Sequence, residues 1–161
     1  MTHKISFRLI TPDDMELLYR IYASTRADEL AAVPWDEVEK ERFLRMQFQA
    51  QHVFYQQNFK QAEYKLVLRD GVPIGRFYVD YRLDEIRIID IALLPKYRRL
   101  GIGSQLMKMV LAEGQQSELP VKIHVEQNNP ALHWYTRLGF QQVEVHGVYI
   151  LMAWQPGKVE G

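Results

Sequence analysis

Ile86-Arg87-Ile88-Ile89-Asp90-Ile91-Ala92-Leu93-Leu94-Pro95-Lys96-Tyr97-Arg98-Arg99-Leu100-Gly101-Ile102-Gly103-Ser104 is the stretch from which the rest of the chain is read. Six of the residues in 86–94 are Ile or Leu, falling on both faces of an extended segment, which is the pattern of a central strand. Pro95 ends it, because proline cannot donate to a ladder. A helix is predicted from about Gly103 to Gln116. Between strand and helix, two glycines two apart let backbone amides come close to a bulky anion. The helix start adds unpaired N–H groups and a positive dipole end. Lys96, Arg98 and Arg99 add side-chain charge, so the segment suits a pyrophosphate. A tight turn with no ligand would carry the same glycines. The loop is not a P-loop, for no Gly-Lys-Ser/Thr follows. Nor is it Gly-x-Gly-x-x-Gly, because Leu106 stands at the third glycine.

Outward from this stretch, apolar periodicity predicts the other elements. Ile5 to Leu9 alternates like a strand. Thr11-Pro12-Asp13-Asp14 is a helix start, with a capping residue, a first-turn proline and two acids near the dipole. A second helix is expected from Asp36 to about Phe59. Tyr64–Leu68 and Pro73–Tyr81 are strands joined by an Asp70-Gly71 hairpin turn, and Leu83-Asp84 is a further turn. Val121–Glu126 is a strand, Pro130–Leu138 a helix, and Phe140–Val145 and Tyr149–Trp154 are strands. The order β-α-α-β-β-β-α-β-α-β-β is that of a mixed α/β domain.

The 161 residues predict one domain, over 1–155, with residues 156–161 as a flexible C-terminal tail. Lys plus Arg and Asp plus Glu are each 20, so the net charge is zero and a generic polyanion binder is not expected. The absence of cysteine excludes disulfides, Cys nucleophiles and Cys-ligated zinc. No apolar run has the length of a membrane span, and the N-terminus is not a signal-peptide core, so a cytoplasmic protein is expected, with neither a membrane nor a nucleic acid as partner.

A second motif is Asn129-Pro130-Ala131-Leu132-His133-Trp134-Tyr135-Thr136-Arg137-Leu138-Gly139-Phe140. Here a short helix follows an Asn cap, and Gly139 ends it in a left-handed conformation. Read alone, Tyr135 near its end is as well explained by core packing. Taken with Arg98-x-x-Gly101-x-Gly103, at this separation and between these elements, the motif resembles the GNAT superfamily of acetyl-CoA-dependent N-acetyltransferases. The strong likeness spans about residues 85–142.

The resemblance implies a GNAT fold: a central mixed, mainly antiparallel sheet of about seven strands, flanked by about four helices. It implies acetyl-CoA as acyl donor, with no metal. The pyrophosphate would lie on Arg98, Arg99, Leu100, Gly101, Ile102, Gly103 and Ser104. The pantetheine arm would pair with the backbone of Ile91, Ala92 and Leu93. The family's Asn falls on Asn129, or on Asn128 in an alternative alignment. Tyr135 matches the usual general acid, which protonates the departing thiolate when a neutral amine attacks the thioester.

The base is left among three residues. His124 and Glu126 share one face of a regular strand, His124 falls where some members carry a carboxylate base, and Asp90 is a third candidate with a structural alternative. Need for a base depends on the amine. At pH 7 a lysine-type amine is about 3.4 units below its pKa, costing about 4–5 kcal/mol to deprotonate, against about 1–1.4 for an α-amine. His124-Val125-Glu126 also spells the His-x-Glu of zinc deaminases, whose cysteine partners this chain lacks.

In such a fold the first two helices wall the acceptor side. Residues 28–41 hold Asp28, Glu29, Asp36, Glu37, Glu39 and Glu41 against Lys40, an acidic stretch that would draw a cationic amine or simply favour a helix start. Trp35, Gln47, Gln51, His52 and Tyr55 are expected near one face of the second helix. The resemblance implies a small-molecule or peptide amine as acceptor, and a homodimer through C-terminal edge strands stays open. The alternatives are a non-catalytic acyl-CoA-binding module, and an acetyltransferase acting on a protein N-terminus or on aminoacyl-tRNA. The neutral charge and missing basic tail argue against the last.

Overall fold

The computed structural model describes residues 2–157. Its elements are β1 (Ile5–Leu9), α1 (Met15–Ala31), α2 (Glu37–Asn58), β2 (Glu63–Arg69), β3 (Val72–Tyr81), β4 (Ile86–Leu93), α3 (Ile102–Ser117), β5 (Val121–Glu126), α4 (Ala131–Arg137), β6 (Gln141–His146) and β7 (Tyr149–Trp154). The seven strands form one sheet in the order β1-β2-β3-β4-β5-β7-β6. β4 is the fourth of seven, as its two-sided apolar pattern predicts. It runs parallel to β5, through Ile86–Val121, Arg87–Lys122 and Ile88–Ile123. β1–β2, β5–β7 and β6–β7 are antiparallel. The fold is therefore mixed α/β with a mainly antiparallel sheet, in the expected element order.

The chain forms two compact units, one running to Tyr78 and including Asp90–Arg98, the other comprising Val79–Ile89 and the chain from Arg99 onward. In the first unit, Leu18, Ile21 and Tyr22 of α1 and Phe48 of α2 are buried, as are Leu66, Val67 and Ile74 of the strands. The Asp70-Gly71 hairpin turn has positive φ at both residues, 52° and 82°, which matches the twist of the strands it joins. β3 and β4 approach closely at Gly75. A Cβ there would fall against the Ala92 carbonyl oxygen and 2.8 Å from Leu93 Cδ2.

Both helix starts follow from their caps. Asp36 accepts from the Glu39 N–H at 2.8 Å at the start of α2. Ahead of α1, Pro12–Asp14 form a 3-10 turn. There the Asp14 carboxylate accepts from the Thr11 N–H at 2.7 Å and from both Arg8 terminal nitrogens at 2.9 Å. Those bonds, the Arg8 ones first, hold the Asp14 carboxyl down at about 2 against partial desolvation. A depressed carboxyl stabilises the fold above its unfolded pKa, and that stability goes as pH falls through the folded one. Asp14→Asn should thus cost about 1–2 kcal/mol near pH 6, Arg8 being partly solvent-screened. Thermal unfolding of the two proteins should converge between about pH 4 and pH 2.

In the second unit, Ile102, Leu106, Met107, Val110 and Gly114 are the buried stripe of α3. A Cβ at Gly114 would lie 2.9 Å from Val121 Cγ2, so the glycine lets α3 sit close to β5. Gly139, at φ +102°, ends α4 in the expected way. Gln115 donates to the Gly157 carbonyl at 2.9 Å and accepts from its N–H at 2.8 Å. Of the expected tail, residues 158–161 lie outside the described residues.

Candidate active site

The loop after β4 begins with a 3-10 turn over Pro95–Tyr97. Arg99 (φ 62°) and Gly101 (φ 83°) are then left-handed. Gly101 caps α3, so the helix starts at Ile102, one residue before the position expected from sequence. The first intrahelical bond runs from the Gln105 N–H to the Gly101 carbonyl at 3.0 Å. The N–H groups of Ile102, Gly103 and Ser104 therefore precede the helical ladder and stand at its positive end. Ile102 is buried and anchors the turn, while Arg99, Leu100 and Gly101 are exposed. A backbone cradle with three successive donors and an adjacent arginine fits a diphosphate.

Arg98 acts differently from Arg99. Its Nε donates to the Leu93 carbonyl at 2.9 Å and its Nη2 to Ser24 Oγ at 3.1 Å. The guanidinium thus ties the end of β4 to α1. Ile91, Ala92 and Leu93 are partly exposed along this end. Asp90 just before them receives the Tyr55 hydroxyl at 3.0 Å and Arg76 Nη2 at 2.7 Å, both on Oδ2. Arg76, its side chain only 3% exposed, also donates to Gln51 Oε1 at 2.8 Å. Burial pushes the nearby Tyr78 phenol up to about 12, and Tyr55 rises for the same reason. Asp90 is accordingly a paired structural carboxylate of this cluster.

In the second unit, Asn129 Oδ1 accepts from the Ala131 N–H at 2.9 Å and caps α4. Tyr135 is 6% exposed, its ring 5.1 Å from that of Trp134 and 5.7 Å from that of Phe140. On β5, burial alternates, with Val121, Ile123 and Val125 inward and Lys122, His124 and Glu126 on the opposite face. His124 Nδ1 lies 3.4 Å from Arg87 Nη1, and its ring meets that of His146 edge-on at 6.2 Å. Partial desolvation, then the Arg87 charge and His146, hold the His124 imidazole below its ordinary value.

Around α1 and α2, the acidic stretch has mixed surroundings. A groove of about 720 Å³ between the two helices is lined by Glu16, Glu37 and Glu41 but equally by Arg20, Lys40 and Arg45. Arg45 pairs with both Glu16 and Glu41, and Asp36 is a helix cap. Trp35 packs on Phe43 at 5.4 Å and His52 on Phe48 at 5.9 Å, Gln47 is exposed, and Gln51 and Tyr55 belong to the Arg76–Asp90 cluster. Arg76 and Arg87 are the residues that sequence reading missed. The available signal was a lone arginine in each of two apolar strands, facing an acid or an imidazole on a neighbour.

Among the described residues, no group of three or more His, Asp or Glu could hold a metal ion, and no helix is long and apolar enough to cross a membrane.

A family model described as the acetyltransferase (GNAT) family matches residues 30–140. An N-alpha-acetyltransferase of Sulfurisphaera tokodaii is 34% identical over 61 residues, 36% of this chain and 36% of that protein. A ribosomal protein bS18-alanine N-acetyltransferase of Haemophilus influenzae is 29% identical over 68 residues, 42% of this chain and 47% of that protein. Both matches span less than half the length of these curated relatives. Among solved structures, PaiA N-acetyltransferase from Thermoplasma acidophilum in complex with coenzyme A superposes with a TM-score of 0.69 at 16% identity, covering 94% of this chain and 99% of that one. The ribosomal-protein-S18-alanine N-acetyltransferase from Escherichia coli superposes at 0.64 and 18% identity, covering 98% and 97%. At these identities the superpositions speak for the fold.

Proposed function

Because the chain belongs to the GNAT acetyltransferase family, whose model matches well over half of it, we propose that it is a single acetyltransferase domain, residues 1–155, that moves an acetyl group from acetyl-CoA to a primary amine. The observation that carries this reading is the loop before α3, where the donors of Ile102, Gly103 and Ser104 follow two left-handed residues. These amides and Arg99 would hold the pyrophosphate. The backbone of Ile91, Ala92 and Leu93, downstream of the last parallel pair Ile88–Ile123, would take the pantetheine arm. Arg98 keeps the Leu93 end of that segment in place, and Asn129 keeps α4 and thereby Tyr135 in place.

When bound, acetyl-CoA supplies a thioester carbonyl open to attack by a neutral amine. Tyr135 provides the proton for the sulfur as the carbon–sulfur bond breaks. The face of β5 that bears His124 and Glu126 takes the proton the amine loses. The acceptor class we assign is the α-amino group of a peptide or protein. Two relatives are named for that chemistry, and an α-amine requires about 3 kcal/mol less for deprotonation than a lysine.

Release of CoA thiol with a panel of amines tests the reading. Peptides with a free N-terminus should turn over well above the same peptides blocked at the α-amine and bearing one lysine. Preference for the blocked lysine peptides would overturn the acceptor class. Tight acetyl-CoA binding with no transfer to any amine would leave the chain as an acyl-CoA-binding module.

A further inference from the structure

The two candidates for the amine's proton on β5 are not equivalent, and the neighbour that separates them is Arg87. Arg87 stands opposite Lys122 in the parallel register of β4 and β5. Its Nε donates to Glu85 Oε2 at 2.9 Å, and its side chain is only 13% exposed, so the guanidinium is held. The free end of the fork places Nη1 3.4 Å from His124 Nδ1. A guanidinium is always charged and only donates. A hydrogen bond across this contact puts the lone pair on Nδ1. A neutral imidazole carries one N–H, which is then on Nε2.

We propose that Arg87 holds His124 as the Nε2–H tautomer, so that His124 donates a hydrogen bond to a carbonyl oxygen of the incoming acceptor and Glu126 accepts the amine's proton. The tautomer stands on the geometry alone. Its consequence for the acceptor rests on the acetyltransferase reading above.

A second proton on His124 would have to go to Nδ1, against the guanidinium. Glu85 and Glu144 act the other way, but desolvation, Arg87 and His146 outweigh them. Lys122 shares its face of β5 and is turned to Glu85. Leu151 and Tyr149 of β7 stand opposite His124 and Glu126 and bring no charge at neutral pH. On β6, Glu144 is paired with His146 at 2.8 Å. Glu85, buried, bonds Arg87 and lies 3.8 Å from both Lys122 and Arg82. Glu126 is the carboxylate on this face two residues along. The depressed affinity of His124 for a proton follows from the same surroundings. A weak base that stays neutral at pH 7 is a good fixed donor.

The test is nitrogen-15 NMR of histidine-labelled full chain, in wild type and Arg87→Met, with the His124 signals assigned from a His124→Gln spectrum. In wild type, Nδ1 should be pyridine-like and Nε2 pyrrole-like through the neutral range. In Arg87→Met the titration midpoint should rise by about half a unit or more, with mixed tautomers. A protonated Nδ1 in neutral wild type, or an unmoved midpoint, would overturn the proposal. Neither result depends on acetyl transfer, so failure here is separate from failure of the proposed activity.

Kinetics give a second arm in which Arg87 is untouched. His124→Gln retains an amide N–H near the position of Nε2–H, so its kcat loss should stay within about tenfold, whereas His124→Ala should raise the acceptor KM by more. Glu126→Gln should lower kcat by about 10² or more. Equal losses of about 10² or more in both His124 variants, with kcat nearly unchanged in Glu126→Gln, would make His124 the base and sink the assignment.

Discussion

Tyr135→Phe is expected to lower kcat by about 10²–10⁴, or 3–5 kcal/mol of transition-state stabilisation. The leaving group sets the size of the effect. A thiolate departing from a tetrahedral carbon is stabilised when a proton reaches it as the bond breaks, and a phenol placed at the sulfur supplies one. The ring of Tyr135 is buried between Trp134 and Phe140, and phenylalanine keeps that packing. Loss of the hydroxyl should cost only about 0.5–1.5 kcal/mol of stability. Acetyl-CoA affinity, which we assign to the loop before α3, should change by less than about twofold, as expected for a group that acts in the transition state. Steady-state kinetics beside calorimetric titration with acetyl-CoA separate these effects. An unchanged kcat would remove Tyr135 from the reaction.

The second large effect concerns folding. Asp90→Ala should destabilise the chain by about 3–5 kcal/mol, because it leaves the buried Arg76 charge without its carboxylate. It also strips the Tyr55 hydroxyl of its acceptor. For a chain of this size the loss corresponds to a fall in Tm of roughly 10 °C. The partner experiment is Arg76→Met with Asp90→Leu. Removing both charges abolishes the desolvation cost along with the attraction, so the double variant should recover most of the loss. Thermal unfolding of Asp90→Ala, of Arg76→Met alone and of the double variant distinguishes a paired cluster, where the double variant is more stable than Asp90→Ala, from two independent contributions, where the losses add.

Much of the fold was legible because its elements are defined by local rules. The capped starts at Thr11-Pro12 and Asp36, the Asp70-Gly71 hairpin and the two-sided apolar run of β4 all gave positions that the structure keeps to within one or two residues. The start of α3 moved by one because Gly101, left-handed, takes the cap position. The glycine loop and the Asn129 cap of α4 were likewise readable from spacing.

What sequence could not supply were contacts that depend on cross-strand placement. Arg76 meets Asp90, and Arg87 meets His124, because of register between β3, β4 and β5, which no single strand encodes. Nor could a motif say that Arg98 turns its fork to the Leu93 carbonyl and Ser24 while its neighbour Arg99 stays exposed.

Gly75 has a role of its own in this arrangement. It bears no functional group, yet its missing methyl is the gap into which the Ala92 carbonyl and the Leu93 side chain settle. An alanine there would act as a wedge between two strands and shift the segment assigned to the pantetheine arm by the width of one carbon. If that segment takes the pantetheine arm as proposed, donor alignment is set partly by a vacancy, at a residue remote from any bond that is made or broken.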